Sequence, residues 1–191
     1  MSLIPTASQT VGPFFNFGLT TNAQLGVLIR EGAGGERISL EFRVTDGDGE
    51  PAPGDAMIEI WQADSQGRYA HAADPRRGGA DPNFHGFGRL ETTPSGTCVF
   101  ETIRPGRVPG ADGSLQAPHI NVMVFARGLL KQLHTRVYFA DDPANAADAA
   151  LALVPEARRS TLLAQPIDGR PGAWRMSIRL QGDDETVFFD L

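Results

Sequence analysis

Between residues 37 and 45 the chain reads RISLEFRVT, with Ile38, Leu40, Phe42 and Val44 on every second position. Side chains two apart in a strand share a face, so this pattern predicts a strand with one buried side. Comparable runs follow at 56-AMIEIWQAD-64, 89-RLETT-93, 97-TCVFETI-103, 119-HINVMVFA-126, 135-TRVYFAD-141, 173-AWRMSIRLQ-181 and 186-TVFFDL-191. Turn clusters separate them, such as 46-DGDGEPAPGD-55 and Gly182-Asp183-Asp184. Seven or eight short strands with turn signals between them predict an all-β, immunoglobulin-like β-sandwich. One insert around 143–164 breaks the pattern. Asp142-Pro143 reads as a helix cap and first position ahead of Ala-rich 144-ANAADAALAL-153, and Pro155 can begin a second short helix over 156–164.

Two stretches carry no clear period. The first 35 residues read as loop, and 10-TVGPFFNFG-18 looks like a segment held by packing on another surface. Residues 65–88 form a long Gly/Pro/Asp-rich loop that contains Tyr69, His71 and His85. Loops of that length inside a compact domain are often functional.

Composition narrows the classes. The 191 residues suffice for one domain with a full core. The net charge of -6 and the lack of any basic run argue against nucleic acid or an anionic membrane as partner. No apolar run is long enough to span a bilayer. The opening MSLIPTASQT has neither the positive nor the apolar region of a signal peptide, and Cys98 has no second cysteine to pair with. The expected location is cytoplasmic.

The candidate chemistry starts at 117-APHINVMVFARG-128, where His119 and Asn121 share a strand face. Two histidines so placed would converge on a metal, but an amide in the second position is a poor ligand. Only two tyrosines and four histidines exist. Tyr138 is expected to pack, His134 to sit at the surface or cap its strand, and His85 to bond within its loop. Tyr69 stands out because it follows a Gly turn and precedes His71. One His, one Tyr and an amide fall short of the ligand set a transition metal normally takes. Arg127, where the chain leaves the sheet, is either a strand-end ion pair or a bidentate clamp for a carboxylate. No catalytic triad order, phosphate loop, CxxC pair or dinucleotide fingerprint is present.

The pieces 8-SQTVGPFF-15, 59-EIWQADSQGRYAHA-72, 117-APHINVMVFARG-128, 134-HTRVYFADD-142 and 186-TVFFDL-191 together resemble the intradiol ring-cleaving dioxygenases. The resemblance runs almost the whole length, in the family's order. It implies a transthyretin-like β-sandwich and a non-haem ferric iron, held in catalytic chains by two tyrosinates and two histidines. It also implies O2-dependent cleavage of a catechol between its two hydroxylated carbons, in aromatic catabolism. Tyr69 fills the first tyrosine position and His119 the first histidine. The second tyrosine is missing, since residues 104–118 contain none, and the second histidine is Asn121. Tyr69, His119 and Asn121 are therefore expected to be vestigial metal positions in a chain with no metal and no catalytic residue of its own.

The resemblance then implies a non-catalytic alpha chain of an alpha/beta enzyme. Its Fe(III) would be held by the beta subunit, and the pairs would assemble into higher oligomers. Thr10, Gly12, Pro13, Phe14 and Arg127 would line the pocket of a small aromatic substrate, a carboxylated catechol, over the partner's iron. Residues 1–36 would form an N-terminal extension packed on that partner, and 37–191 the dioxygenase-like sandwich. Two alternatives stand beside this: a transthyretin-like binding or structural module, and a self-sufficient catechol dioxygenase with an unusual iron sphere.

Overall fold

Alternating patterns become strands wherever one face can be buried. The computed structural model describes residues 7, 9, 10, 12–52, 56–110 and 113–190, without the side chains of 13–15. It contains β1 (Arg37–Thr45), β2 (Met57–Trp61), β3 (Phe87–Glu91), β4 (Thr97–Ile103), β5 (His119–Phe125), β6 (Leu133–Phe139), β7 (Leu163–Pro166) and β8 (Ala173–Arg179). They lie in the order β3-β2-β5-β6-β7-β8-β1-β4. The first four pair antiparallel, and β1 pairs parallel with β8 and antiparallel with β4. The two halves meet where β6 runs parallel to β7 through only two residue pairs, Tyr138 with Leu163 and Phe139 with Ala164. This is the expected β-sandwich, nearly closed on itself.

The core lies between the halves. Ile38, Leu40, Phe42 and Val44 of β1 are buried together with Ile58 and Ile60 of β2, Ile120, Val122 and Val124 of β5, and Phe100 of β4. Phe42 meets Phe100 edge-on at 5.7 Å, and Phe139 meets Trp174 the same way at 5.1 Å across the seam. Such edge-to-face pairs add to the stabilisation from burial alone. At the far side, Leu28 bridges the open edges. Its N–H donates to Glu101 O on β4 at 2.8 Å, and its carbonyl accepts from His85 N at 2.8 Å. A covered edge cannot pair with another chain. Gly88 of β3 permits this closure, because a Cβ there would stand 2.8 Å from Leu28 and 3.0 Å from Phe100.

The elements depart from expectation in four places. The segment read as loop contains α1 (Pro13–Thr20), with extended Gly12 at its cap and Pro13 supplying a preset first-turn φ. The buried Asn16 donates through Nδ2 to Glu91 Oε2 at 2.9 Å, which moors α1 on β3. The helical insert is mostly 3-10: turns at Pro143–Ala147 and Glu156–Leu162 flank a single α turn, α2 (Ala149–Ala152). Asp142 caps as expected, accepting from Ala144 N at 2.9 Å. Residues 163–166, expected at a helix end, form β7 instead. The last apolar run, 186–190, is no strand; it lies against the sheet through Thr186 N to Arg179 O at 2.9 Å, Thr135 Oγ1 to Val187 O at 2.8 Å and a single bridge from Phe189 to His134. Among the described residues, no helix is long and apolar enough to cross a membrane.

Candidate functional site: a cleft on the outer face of β5 and β6

Register places the polar residues of three strands in one row. Trp61 of β2 lies opposite Asn121 of β5, and Asn121 lies opposite Arg136 of β6. One step along, His119 faces Tyr138. Directly opposed residues share a face with Cβ atoms about 5 Å apart. The even-numbered β5 residues Ile120, Val122 and Val124 take the core, so His119, Asn121 and Arg136 point outward.

Two loops wall this face into a cleft of about 520 Å³, lined among others by Trp61, Tyr69, His71, Gln116, His119 and Arg136. The loop bearing Tyr69 is anchored by buried Asp64. Its Oδ1 accepts from Gln66 N at 2.8 Å and Arg68 N at 2.9 Å, and its Oδ2 from Asp81 N at 3.0 Å. Gly67 has φ +72, and a Cβ there would lie 1.9 Å from Arg107 O. Only glycine serves at that point. Asp74 then fixes Tyr69, accepting its N–H at 2.9 Å while bonding the Arg76 guanidinium. Burial would raise the Asp74 acid, but the Tyr69 and Arg76 bonds outweigh it and hold the carboxyl at about 2. The Tyr69 ring stacks on Trp61 at 5.7 Å, with 13° between planes.

His119 is buried, and its Nδ1 lies 2.8 Å from Ala117 O. Nδ1 must carry the proton to bond a carbonyl, which leaves Nε2 bare. Burial, then the nearby Arg136 charge, push the imidazole down to about 4. Burial raises the Tyr69 phenol above its ordinary value, partly offset by Arg136. The Asn121 amide is occupied, donating to Trp61 O at 3.3 Å.

These residues do not fit ferric iron. Among the described lining residues Tyr69 is the one phenol, its proton held on by burial, so the tyrosinate pair that suits ferric iron is lacking, and the Arg136 guanidinium stands beside the imidazoles of His71 and His119. A cation at that point repels a metal ion. Among the described residues, no group of three or more His, Cys, Asp or Glu could hold a metal.

The other expected site residues lie elsewhere. Thr10 Oγ1 accepts from Gly128 N at 2.9 Å and donates to Ala126 O at 3.5 Å. These bonds straddle Arg127, so the N-terminal segment and the arginine meet although 117 positions separate them. Gly12 is extended, and a Cβ on it would meet none of the described residues within 4 Å. The side chains of Pro13 and Phe14 lie outside the described residues. From Asn121 to Arg127 the strand runs roughly 20 Å at about 3.3 Å per residue. The cleft with Tyr69, His119 and Asn121 and the contact of Thr10 beside Arg127 therefore sit at opposite ends of β5.

Tyr138 is wholly buried, as expected, under the helical insert with Ala117, Leu151, Val154 and Leu162. Its hydroxyl donates to Asp148 Oδ1 at 3.1 Å, and burial pushes the phenol up to about 12. Arg136 and Gln116 were not singled out from sequence. An outward arginine on a strand is unremarkable until the register sets it opposite Asn121.

Residues 11–181 match the family described as Dioxygenase. The chain is 44% identical to the protocatechuate 3,4-dioxygenase alpha chain of Burkholderia cepacia, covering 100% of this chain and 99% of that one. It is 35% identical to the beta chain from the same organism, over 80% of this chain and 67% of that one. Among solved structures, the dioxygenase domain of a carbohydrate-binding fusion from Streptomyces sp. SirexAA-E superposes with a TM-score of 0.63. That likeness, at 22% identity over 93% of this chain and 100% of that domain, concerns the fold alone.

Proposed function

The chain belongs to the intradiol dioxygenase family, and on that footing we propose that it serves as the alpha chain of an alpha/beta protocatechuate 3,4-dioxygenase. The enzyme cleaves protocatechuate with O2 to 3-carboxy-cis,cis-muconate, a step of aromatic catabolism. The beta subunit holds the ferric iron, which makes a bound catechol ring electron-rich enough to react with O2. This chain binds and orients. Alpha/beta pairs assemble further, in the cytoplasm.

The observation that carries this reading is the hydrogen-bonded meeting of Thr10 with the backbone on both sides of Arg127. It joins the N-terminal segment to an arginine at the end of a rigid strand. Guanidinium matches a carboxylate with two parallel bonds, the recognition a benzoate-type acid requires. No described residue comes within 4 Å of a Cβ built on Gly12, which is consistent with a flat ring or a partner's surface beside the start of α1. Phe17 on α1 is 64% exposed, apolar area suited to a partner chain. The first 36 residues then divide in role: 24–30 complete this chain's own sandwich, and the stretch before them faces the partner.

The test is Arg127→Ala in the co-expressed alpha/beta enzyme, with protocatechuate and unsubstituted catechol compared. Losing a charge-assisted pair of about 1.5–3 kcal/mol lowers kcat/KM for protocatechuate by roughly ten- to a hundredfold. Catechol, which lacks the carboxylate, should lose much less, and iron content should not change. Equal losses on both substrates, or lost iron, would remove Arg127 from the substrate side.

A further inference from the structure

The cleft that cannot hold iron is nevertheless charged. Arg76, Arg89, Arg104, Arg175 and Arg179 each pair with a carboxylate. Arg136 pairs with none among the described residues. Its Nη1 donates to Gln116 Oε1 at 2.8 Å and lies 3.4 Å from the Tyr138 hydroxyl. Its Nη2 and Nε make no hydrogen bond among the described residues.

The nearest carboxylates are engaged elsewhere. Asp74 is taken by Arg76 and the Tyr69 N–H. Asp148 lies beyond the Tyr138 hydroxyl and accepts from that hydroxyl, from Ala117 N at 2.7 Å and from Leu151 N at 2.8 Å. Three donors saturate much of its accepting capacity and leave the free edge of Arg136 unanswered.

Shape supplies the second half. Trp61 and Tyr69, stacked on each other, present aromatic surface to the cleft, and Val108 and Pro109 add apolar lining. The volume of about 520 Å³ lies within the usual range for small-molecule sites. Flat apolar surface beside one unpaired guanidinium is the complement of an aromatic ring carrying one carboxylate. Phosphate would find the charge but would leave the ring surface wet.

We propose that this cleft is a binding site for an aromatic carboxylate of the benzoate class, its carboxylate on Arg136 and its ring against Trp61 and Tyr69. The residues that build the site are this chain's own, and its test rests on the alpha/beta partnership proposed above.

The test is a 19F NMR titration of 4-fluorobenzoate into the assembled alpha/beta enzyme. Three forms of this chain are compared: wild type, Arg136→Gln and Gln116→Glu. The second variant sets a carboxylate against the guanidinium without removing it, so a folding fault in either variant is exposed by the other. Wild type should bind one more equivalent per alpha/beta pair than either variant, with affinity at that site falling about tenfold or more in both. Equimolar inorganic phosphate should not displace the probe. Equal stoichiometry in all three forms, or displacement by phosphate, would overturn the proposal.

Discussion

Burying His119 as a neutral ring makes the fold sensitive to mild acid. Its pKa is brought from the ordinary 6.5 down to about 4, first by burial and then by Arg136, against the weaker pull of the Ala117 bond. The folded chain therefore resists the proton that the unfolded chain accepts. The imidazole leaves stability untouched above pH 6.5, and stability falls as the pH drops from there towards 4. At about 1.4 kcal/mol per pH unit, the full difference is about 3 kcal/mol. Urea denaturation of the full chain at steps from pH 7.5 to 4 reads this directly, with His119→Gln as the reference. Glutamine can still donate to the Ala117 carbonyl but takes up no proton. Carboxylates elsewhere contribute equally to both chains, so the quantity of interest is the difference in pH slope. Wild type should lose about 3 kcal/mol more than the variant over this range. Parallel pH profiles would refute the buried neutral imidazole and with it the electrostatic account of the cleft.

Other perturbations test the loops that build the cleft. Gly67→Ala meets a positive φ and a carbonyl 1.9 Å from the new Cβ. The backbone cost alone is about 1–2 kcal/mol, and displacement of Arg107 adds to it. Thermal unfolding should fall by several degrees; an unchanged midpoint would contradict the close approach. Asp74, held at about 2 against an ordinary 3.8, contributes stability that is present above pH 4 and lost as pH falls through 2. Asp74→Asn should flatten that acid limb, and a slope equal to wild type would show that Tyr69 and Arg76 do not hold the carboxylate.

Most of the sandwich was legible because alternation reports a half-buried face. The strands at 37–45 and 97–103 were read to the residue, and the one at 119–126 to within one. What failed depends on partners distant in sequence. β7 is four residues ending at Pro166, with two pairs to β6 and two to β8, and nothing local distinguishes it from a helix end. The run 186–190 alternates like a strand, yet its backbone finds only one bridge. Helix α1 was hidden because Pro13 and Gly18 obscure its period, while its stability comes from Asn16 reaching Glu91. His119 and Asn121 stood out by their spacing on one strand face and Tyr69 by its loop, their role came only from the family resemblance, and all three line one cleft. Arg136 was not legible, because its meaning lies in the β5–β6 register. The bonds from Thr10 to either side of Arg127 are likewise tertiary.

We propose that this chain has no iron of its own and completes a site whose iron belongs to a partner. Iron content and the visible tyrosinate-to-iron absorption, measured on the chain alone and on its complex with the beta chain, test it most directly. The lone chain should be colourless and iron-free even after exposure to ferric iron, and the complex coloured and active on protocatechuate. Stoichiometric iron with colour in the lone chain would mean that Tyr69 and His119 still bind metal despite Arg136, and the account would be wrong.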